Sequence, residues 1–459
     1  MVTTPISSLK SERLPFRTKL IYGLADWSNS STSTIFGFFF AFFMTDVAKL
    51  PPLYAAPVLL MGGIWDAIND PLFGVLADRV RSRWGRRRPF FLFVTVPFAI
   101  AFILLWWIPP ISTHIGLAAY YLVAYLLFDS SYTLLAVPYN ALTPELTEDY
   151  DERTRLNGYR MTFSMLGGLL GALSIPLVTG LFSEIKTGYM VVAVAFGIMA
   201  IFPYLLLFFN IKESYSDTPQ VEENLFRGFI TTFRNRAFRF AAGIYMTAWV
   251  AISLASALFQ YYVTYVVLMP KQLDIILGLL QLGALVCIPV MVWMSNRLGK
   301  QKAYIIGLSW WTVVMLILAV IQPGHQALVF VLAVSVGLGV AAAHVVPWSM
   351  VPDVIEVDEL ETGKRREGTY YGFLVFIQKT GVAFTLAFMQ WILNITHYVP
   401  GVAQSKDTLT AMRMLMGPFP AALLVVSMIL AWKYPLTKKR HLEVRKELAM
   451  KRATRESRD

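Results

Sequence analysis

The chain has 459 residues, 56% hydrophobic and 15% charged, with a mean hydropathy of +0.56. A soluble chain carries about 25% charge, and here the apolar residues fall in runs near the roughly 20 residues that a membrane-spanning helix needs. A water-soluble globule is therefore excluded, as is a membrane β-barrel, whose ten-residue alternation is absent. The net charge of +11 sorts with membrane topology, so no nucleic-acid partner is implied. One cysteine, Cys287, makes neither an intramolecular disulfide nor a thiolate metal cluster and reads as helix packing.

Hydropathy predicts an all-α membrane protein of about twelve transmembrane helices. They lie near 20–48, 55–78, 88–108, 114–143, 158–180, 188–209, 241–267, 274–297, 302–322, 327–350, 369–394 and 409–432. Basic residues crowd alternate connections and both ends of the chain, so the positive-inside rule puts both termini in the cytoplasm. The stretch "MVTTPISSLKSERLPFRTKL" holds no apolar core before a cleavage site, so no secretory signal is evident. A multi-pass protein of the plasma (inner) membrane is expected.

Helix 1 carries Tyr22, Asp26, Asn29, Ser30 and Ser33 near one face by i, i+3 and i+4 spacing. That stripe suits a cavity wall, and small polar residues also serve helix packing. Helix 2 contains "IWDAINDP", with Asp66 and Asp70 four residues apart on one face and Asn69 beside them. An aspartate at mid-bilayer costs roughly 2.5–3.5 kcal/mol. Two so close repel, so one holds a proton or both gather round a cation. The structural alternative is an ion pair with a buried base.

The loop "GVLADRVRSRWGRRRP" follows. Gly74 there is expected to allow close helix packing. Asp78, at the helix end, is expected to tie to arginines such as Arg79 and Arg83 in a gating loop. Simple positive-inside anchoring fits the arginines equally well. Helix 4 holds Asp129 and Thr133, and helix 5 holds Arg160; Asp129 either pairs with Arg160 or belongs to packing.

The long segment 211–240 divides the chain into an N-terminal six-helix half (1–210) and a C-terminal one (241–433), followed by a basic tail (434–459). "VPYNALTPEL" from Val137 is echoed by "VPWSMVPDVI" from Val346, each closing an apolar helix before an acidic-then-basic loop. Paired six-helix halves in parallel repeat are the pattern of major facilitator transporters, with the solute site between them. His344 in helix 10 either meets solute or packs. Trp348, one turn on, reads as an interface anchor. Lys379 in helix 11 is the base available to neutralise Asp66 and Asp70. The acids of "DVIEVDE" read as a solvated helix end tied to Lys364–Arg366, and the tail as a solvated helix or disordered segment. No GxSxG, P-loop or HExxH motif occurs, so no enzyme is expected.

In combination, "IWDAINDP", "SRWG" with its arginines, "VPYNALTPELT" with "DERTRLNGYR", and "PWSMVPDVIEVDE" with "KRREGTYYGF" resemble the glycoside–pentoside–hexuronide:cation symporters. This is the major facilitator branch that includes the melibiose permeases, and the resemblance runs from Lys19 to about Lys433. It implies a cation site of Asp66, Asn69, Asp70 and Thr133, with Asp66 and Asp70 as the metal ligands if sodium is the coupling ion. Arg160 and Lys379 match the family's helix-5 arginine and helix-11 lysine. The melibiose permeases carry aspartates where Ser30 and Ala136 stand, and aromatic residues where Asn140 and His344 stand. Their clamp for sugar hydroxyls is thus missing, and Asp26, a turn from Ser30, is the nearest replacement.

The expected protein is therefore a monomeric cation-coupled symporter, using Na+ or H+ and no cofactor, that works by alternating access. Its expected solute is a sugar, glycoside or related polar molecule held by Arg160, Asp26, Tyr22, Ser30, Asn140 and His344. The alternatives are an amphipathic solute such as a lysolipid, which animal relatives move, and a membrane sensor that has lost transport.

Overall fold

The computed structural model describes residues 14–147, 150–211, 232–362, 366–436, 440–444, 446–448 and 450. Helices α1 (Phe16–Phe42), α2 (Pro52–Arg79), α3 (Arg88–Phe93), α4 (Thr95–Leu105), α5 (His114–Leu146), α6 (Tyr150–Thr179) and α7 (Ile185–Asn210) form the first half. Helices α8 (Arg236–Tyr261), α9 (Leu273–Leu298), α10 (Lys300–Val320), α11 (Gln326–Ser335), α12 (Gly337–Thr362), α13 (Glu367–Ile395), α14 (Lys406–Met416) and α15 (Pro418–Trp432) form the second. Three pairs, α3–α4, α11–α12 and α14–α15, are single spans broken at Val94, Val336 and Gly417. Fifteen helices less three breaks leave the twelve predicted spans, and among the described residues no strand occurs.

The breaks and starts follow from local chemistry. Pro97 lacks an N–H and its ring crowds the carbonyl four residues back, so the third span gives way at Val94. Pro418 and Pro420 do the same beside Gly417. The Asn235 side chain caps α8 by accepting from Ala237 N and Phe238 N at 2.9 and 3.2 Å.

Among the described residues, nine helices are long and apolar enough to cross a membrane by length and composition alone. The spans outside that group are α1, α2 and the broken α3–α4. The first two carry the polar stripe and the aspartates.

Among the described residues, the most extensive helix contacts between the halves are α2 with α13, α1 with α8, and α6 with α9. Gly63 permits the first of these contacts, because a Cβ there would fall 2.5 Å from that of Ala383. Gly74 does not act this way: nothing lies within 4 Å of a Cβ built on it, which corrects the packing role expected from sequence. Close packing at α1 comes from α6, where a Cβ on Gly171 would fall 2.6 Å from Ser31 O.

The first spans of the two halves end alike. "FMTDVAKL" after α1 and "YVTYVVLM" after α8 each form a π-turn, Phe43–Val47 and Tyr262–Val266. Each then places a non-glycine residue at φ 60°, Lys49 and Leu268. The equivalent residues Asp46 and Tyr265 meet across the pseudo-twofold, the tyrosine donating to the carboxylate. Tyr398 OH donates to both Asp46 oxygens at 2.6 Å, and Thr45 Oγ1 donates at 2.8 Å. This cluster closes the end of the bundle opposite the chain termini.

At the terminus-bearing end, Lys19 pairs with Glu152 at 2.8 Å, and Arg155 reaches the same carboxylate at 2.9 Å. The described part of the tail docks instead of standing in solvent as expected. Val444 and Leu448 are buried, and His441 Nε2 lies 2.8 Å from Glu356 Oε2. The acidic stretch of α12 binds this histidine and Lys300, whose Nζ is 2.6 Å from Asp353 Oδ2; Arg366 pairs with Asp358 at 3.5 Å. Lys364 lies outside the described residues.

Asp46→Ala removes the acceptor shared by Tyr265, Tyr398 and Thr45. The expected cost is about 2–4 kcal/mol, the range for lost hydrogen bonds to a charged group with donors left unpaired. A lower Tm checks this, as does thiol labelling of Met44→Cys, a position buried in the closed cluster; unaltered values of both would exclude a latch.

The hydrogen bond from Lys19, with its positive charge, holds the Glu152 carboxyl below the usual glutamate range. A depressed folded-state pKa gives stabilisation that is present above the unfolded value of about 4.3 and fades as pH falls through the folded one. Glu152→Gln should therefore lower Tm at pH 7, with the gap closing on acidification below about pH 4. A gap independent of pH would contradict the pairing.

Candidate functional site

The i, i+4 spacing on α2 directs Asp66 and Asp70 to one face, toward α5 and α13. Lys379 reaches across from α13. Its Nζ lies 2.5 Å from Asp66 Oδ1, 2.6 Å from Asp70 Oδ2 and 3.3 Å from the Asp66 carbonyl. Thr133 on α5 donates to Asp70 Oδ1 at 3.1 Å and to Asn69 Oδ1 at 3.2 Å. Asn69 is fully buried and Thr133 nearly so, whereas the Asp66 and Asp70 side chains keep 24% and 30% of their surface exposed. The carboxylates thus remain reachable while the neutral oxygens are fixed. All four residues of the expected cation set, and Lys379, come together.

Sequence reasoning missed one member. Asp129 does not pair with Arg160; it accepts from Asn69 Nδ2 at 2.5 Å and is 6% exposed. Its electrostatic neighbours are Asp66, Lys379 and Asp70. The available signal was its position on α5, one turn before Thr133 and therefore on the same face. Sixty residues separate it from Asn69, and nothing local announces that contact.

Arg160 on α6 meets Asp26 on α1 instead, Nε to Oδ1 at 3.3 Å, with its guanidinium 5.4 Å from the Tyr139 ring centroid. Its two terminal nitrogens have no protein partner among the described residues. Tyr22 stacks on Tyr139, bonds Thr143 Oγ1 at 2.5 Å and has no exposed surface. Ser30 shares a 2.5 Å hydrogen bond with Ser164, and Asn140 is exposed.

The helix-1 stripe divides. Ser33 and Thr34 line a cavity, whereas Asn29 is buried against α7 and accepts from Tyr204 OH.

That cavity holds about 460 Å³ and opens beside Asp66. Its wall is mostly apolar, including Phe259, Trp311, Leu332 and Val336, with Ser253, Gln281 and His344 as polar interruptions. Of the sequence-nominated solute residues, His344 lines it; Tyr22, Asp26, Ser30, Asn140 and Arg160 do not. His344 Nδ1 faces its own helix at Val340 O, 2.9 Å away, and its ring packs on Trp249. Trp348 stacks on Tyr371. In the arginine loop, Arg83 covers the Trp84 ring, Arg79 is exposed, and Arg88 donates to Phe208 O at the end of α7. The Asp78 side chain lies outside what the structure describes.

Residues 21–438 match the family model described as MFS/sugar transport protein. The chain belongs to this family. It is similar to an uncharacterized symporter of Synechocystis sp., with 35% identity covering 96% of this chain and 98% of that one. It is also similar to the sodium-dependent lysophosphatidylcholine symporter 1 of Gallus gallus, with 29% identity over 95% and 90%. A Salmonella typhimurium protein named provisionally as a sulfoquinovose importer is 28% identical over 96% and 94%. Among solved structures, the nucleoside transporter NupG superposes with a TM-score of 0.64 at 14% identity, covering 92% and 98%. A POT family transporter reaches 0.67 at 12%, covering 92% and 97%. These two establish the fold. The MFS protein described here is thus a multi-pass membrane symporter with a coupling cation and a small-molecule solute, and not an enzyme.

In this symporter, Lys379→Met leaves Asp66 and Asp70 facing each other without their ammonium. Breaking a buried pair costs about 3–5 kcal/mol, and the residual exposure of both carboxylates puts this one near the lower bound. The expected result is a lower Tm in sodium-free buffer that added sodium largely restores. Equal Tm values with and without sodium would mean that sodium does not reach the carboxylates.

Proposed function

We propose that the chain couples sodium entry to uptake of an organic solute, with sodium bound by Asp66, Asn69, Asp70 and Thr133. The carrying observation is Lys379 seated between Asp66 and Asp70, at the contact of the halves. An ammonium held by two carboxylates stands where a monovalent cation would stand. Sodium is favoured over a proton because a proton needs one carboxylate only. The fixed neutral oxygens of Asn69 and Thr133 are ligands that a hard cation uses. When sodium arrives, Lys379 is released, and the contact between α2 and α13 changes with it. Asp66 borders both the cation group and the cavity, so each ligand alters the affinity of the other, reciprocally.

The solute best suited to the site has an apolar arm and a polar head. The arm enters the apolar cavity. The head meets Arg160, whose terminal nitrogens suit a phosphate, sulfonate or carboxylate in bidentate fashion. A lysolipid and a glycoside with an apolar aglycone both fit this description, and two relatives bear the names of a lysophosphatidylcholine symporter and a sulfoquinovose importer. A free sugar is the second reading, favoured by the hydroxyls of Ser33 and Thr34 in the cavity wall. The chain would act as a monomer in the plasma membrane, with no nucleic acid, its basic terminus-bearing end in the cytoplasm. Since the closed Asp46 cluster lies at the opposite end, the cavity would then open inward.

Proteoliposomes carrying a sodium gradient test this reading with lysophosphatidylcholine, an alkyl glycoside and sulfoquinovose as probes. One or more should drive entry of radiolabelled sodium, and Asp66→Cys or Asp70→Cys should abolish coupled uptake while leaving insertion intact. Undiminished uphill uptake in both variants would refute the cation site. Sodium-independent uptake that alkalinises the medium would assign a proton instead.

A further inference from the structure

We propose that Asp129 is a positioning residue of the cation site: its carboxylate turns the Asn69 amide so that Oδ1 faces the pocket. The inference deepens the cation-site reading and rests on it. An amide side chain has two ends of nearly equal size that differ in hydrogen bonding alone, one accepting and the other donating. Packing by itself does not choose between them. Asn69 has no exposed surface, so water does not choose either, and both ends need a protein partner.

The partners differ in kind. Asp129 Oδ2 accepts from Asn69 Nδ2 at 2.5 Å. At the other end, the Thr133 hydroxyl donates to Asn69 Oδ1 at 3.2 Å and to Asp70 Oδ1 at 3.1 Å. A flipped amide would press its carbonyl against Asp129 Oδ2 and turn a donor toward the place of the cation. Both contacts would be repulsive in a buried setting, where an unpaired polar group is costly.

Asp129 and Thr133 sit one turn apart on α5, so a single helix face supplies a cation oxygen and the acceptor that orients its neighbour. Asp129 is 6% exposed and is not part of the cavity wall. Its carboxyl group also neighbours Asp66; on Asn69 it acts as residues behind a metal ligand do when they fix its rotation. Losing such a partner costs about 10–100-fold in ion affinity.

The test is the sodium concentration giving half-maximal thermal stabilisation of the purified protein, since an ion bound to the folded state raises Tm by mass action. Asp129→Leu should raise that concentration by about 10–100-fold. Asp129→Asn, which keeps a carbonyl facing Asn69 Nδ2, should restore most of the affinity. In an Asn69→Ala background, Asp129→Leu should have a smaller effect, because the part of its action that runs through Asn69 is lost with the intermediary. A purely structural defect would lower Tm at every sodium concentration alike, with neither rescue nor masking.

Wild-type sodium dependence in Asp129→Leu overturns the inference. So does an Asp129→Asn variant as weak as Asp129→Leu, or an undiminished effect in the Asn69→Ala background. Asp70→Asn separates the two levels: if it too keeps the sodium response, the cation-site reading falls and takes this inference with it. If it loses the response while Asp129→Leu does not, only the role of Asp129 fails.

Discussion

The molecule is organised around one ammonium group held between two carboxylates inside a membrane. Asp66 and Asp70 would together cost about 5–7 kcal/mol at mid-bilayer if they faced lipid. Lys379 would carry about half that penalty on its own helix. Brought to 2.5 and 2.6 Å, the three groups cancel most of that cost. They can do so only if α2 of one half lies against α13 of the other. The close approach at Gly63 and Ala383 is therefore the steric condition for the electrostatic contact. A static pair would be a poor use of this arrangement, because buried ion pairs add little stability over apolar packing. A pair that one cation can replace is a reversible joint, and this joint lies on the line along which the halves meet.

The second closure is built differently. Asp46 is satisfied by hydroxyl donors of Thr45, Tyr265 and Tyr398, with no lysine or arginine in hydrogen-bonding contact among the described residues. Hydroxyl donors hold a buried carboxylate at less electrostatic depth than a cation does, which suits a contact that must open and reclose. It also arises from repeat symmetry. The same π-turn and the same φ of 60° end α1 and α8, so equivalent positions face each other across the axis. A carboxylate on one side and a phenol on the other make a complementary pair from duplicated backbone.

Much of this was readable from the sequence, and the exceptions have physical causes. Twelve spans followed from hydropathy because lipid leaves a helix almost no alternative. Asp66 and Asp70 stood out because charge in lipid is expensive, and i, i+4 spacing gave their shared face. What periodicity cannot supply is azimuth between helices. The stripe on α1 was one feature in sequence and became two in space, Ser33 on the cavity and Asn29 on α7. Asp129, expected to pair with Arg160 or to serve packing, meets Asn69 instead. Gly74 looked like a packing glycine, but its neighbourhood is open. The likeness of "FMTDV" to "YVTYV" was present in the letters, yet it becomes evident only when both stretches adopt the same π-turn.

Polarity in the spans is itself distributed with a logic. The unbroken helices that fall short of the apolarity expected of a membrane crossing are α1 and α2. Each packs against the opposite half, α1 on α8 and α2 on α13. A helix in that position is screened from lipid on its inner face, so it can carry carboxylates, amides and hydroxyls that a peripheral helix cannot. The converse constraint falls on their partners. Polar groups facing inward must be matched or solvated when the halves part, and Asp26 with Arg160 and Asn69 with Asp129 are matched within the first half alone. Among the described residues, the Lys379 contact is the ion pair that crosses between the halves. Separation of the halves therefore exposes two carboxylates and one ammonium, while the pairs around them stay intact. A cation that neutralises those carboxylates removes the electrostatic reason for the halves to stay together at that point, which is the physical content of coupling ion binding to movement.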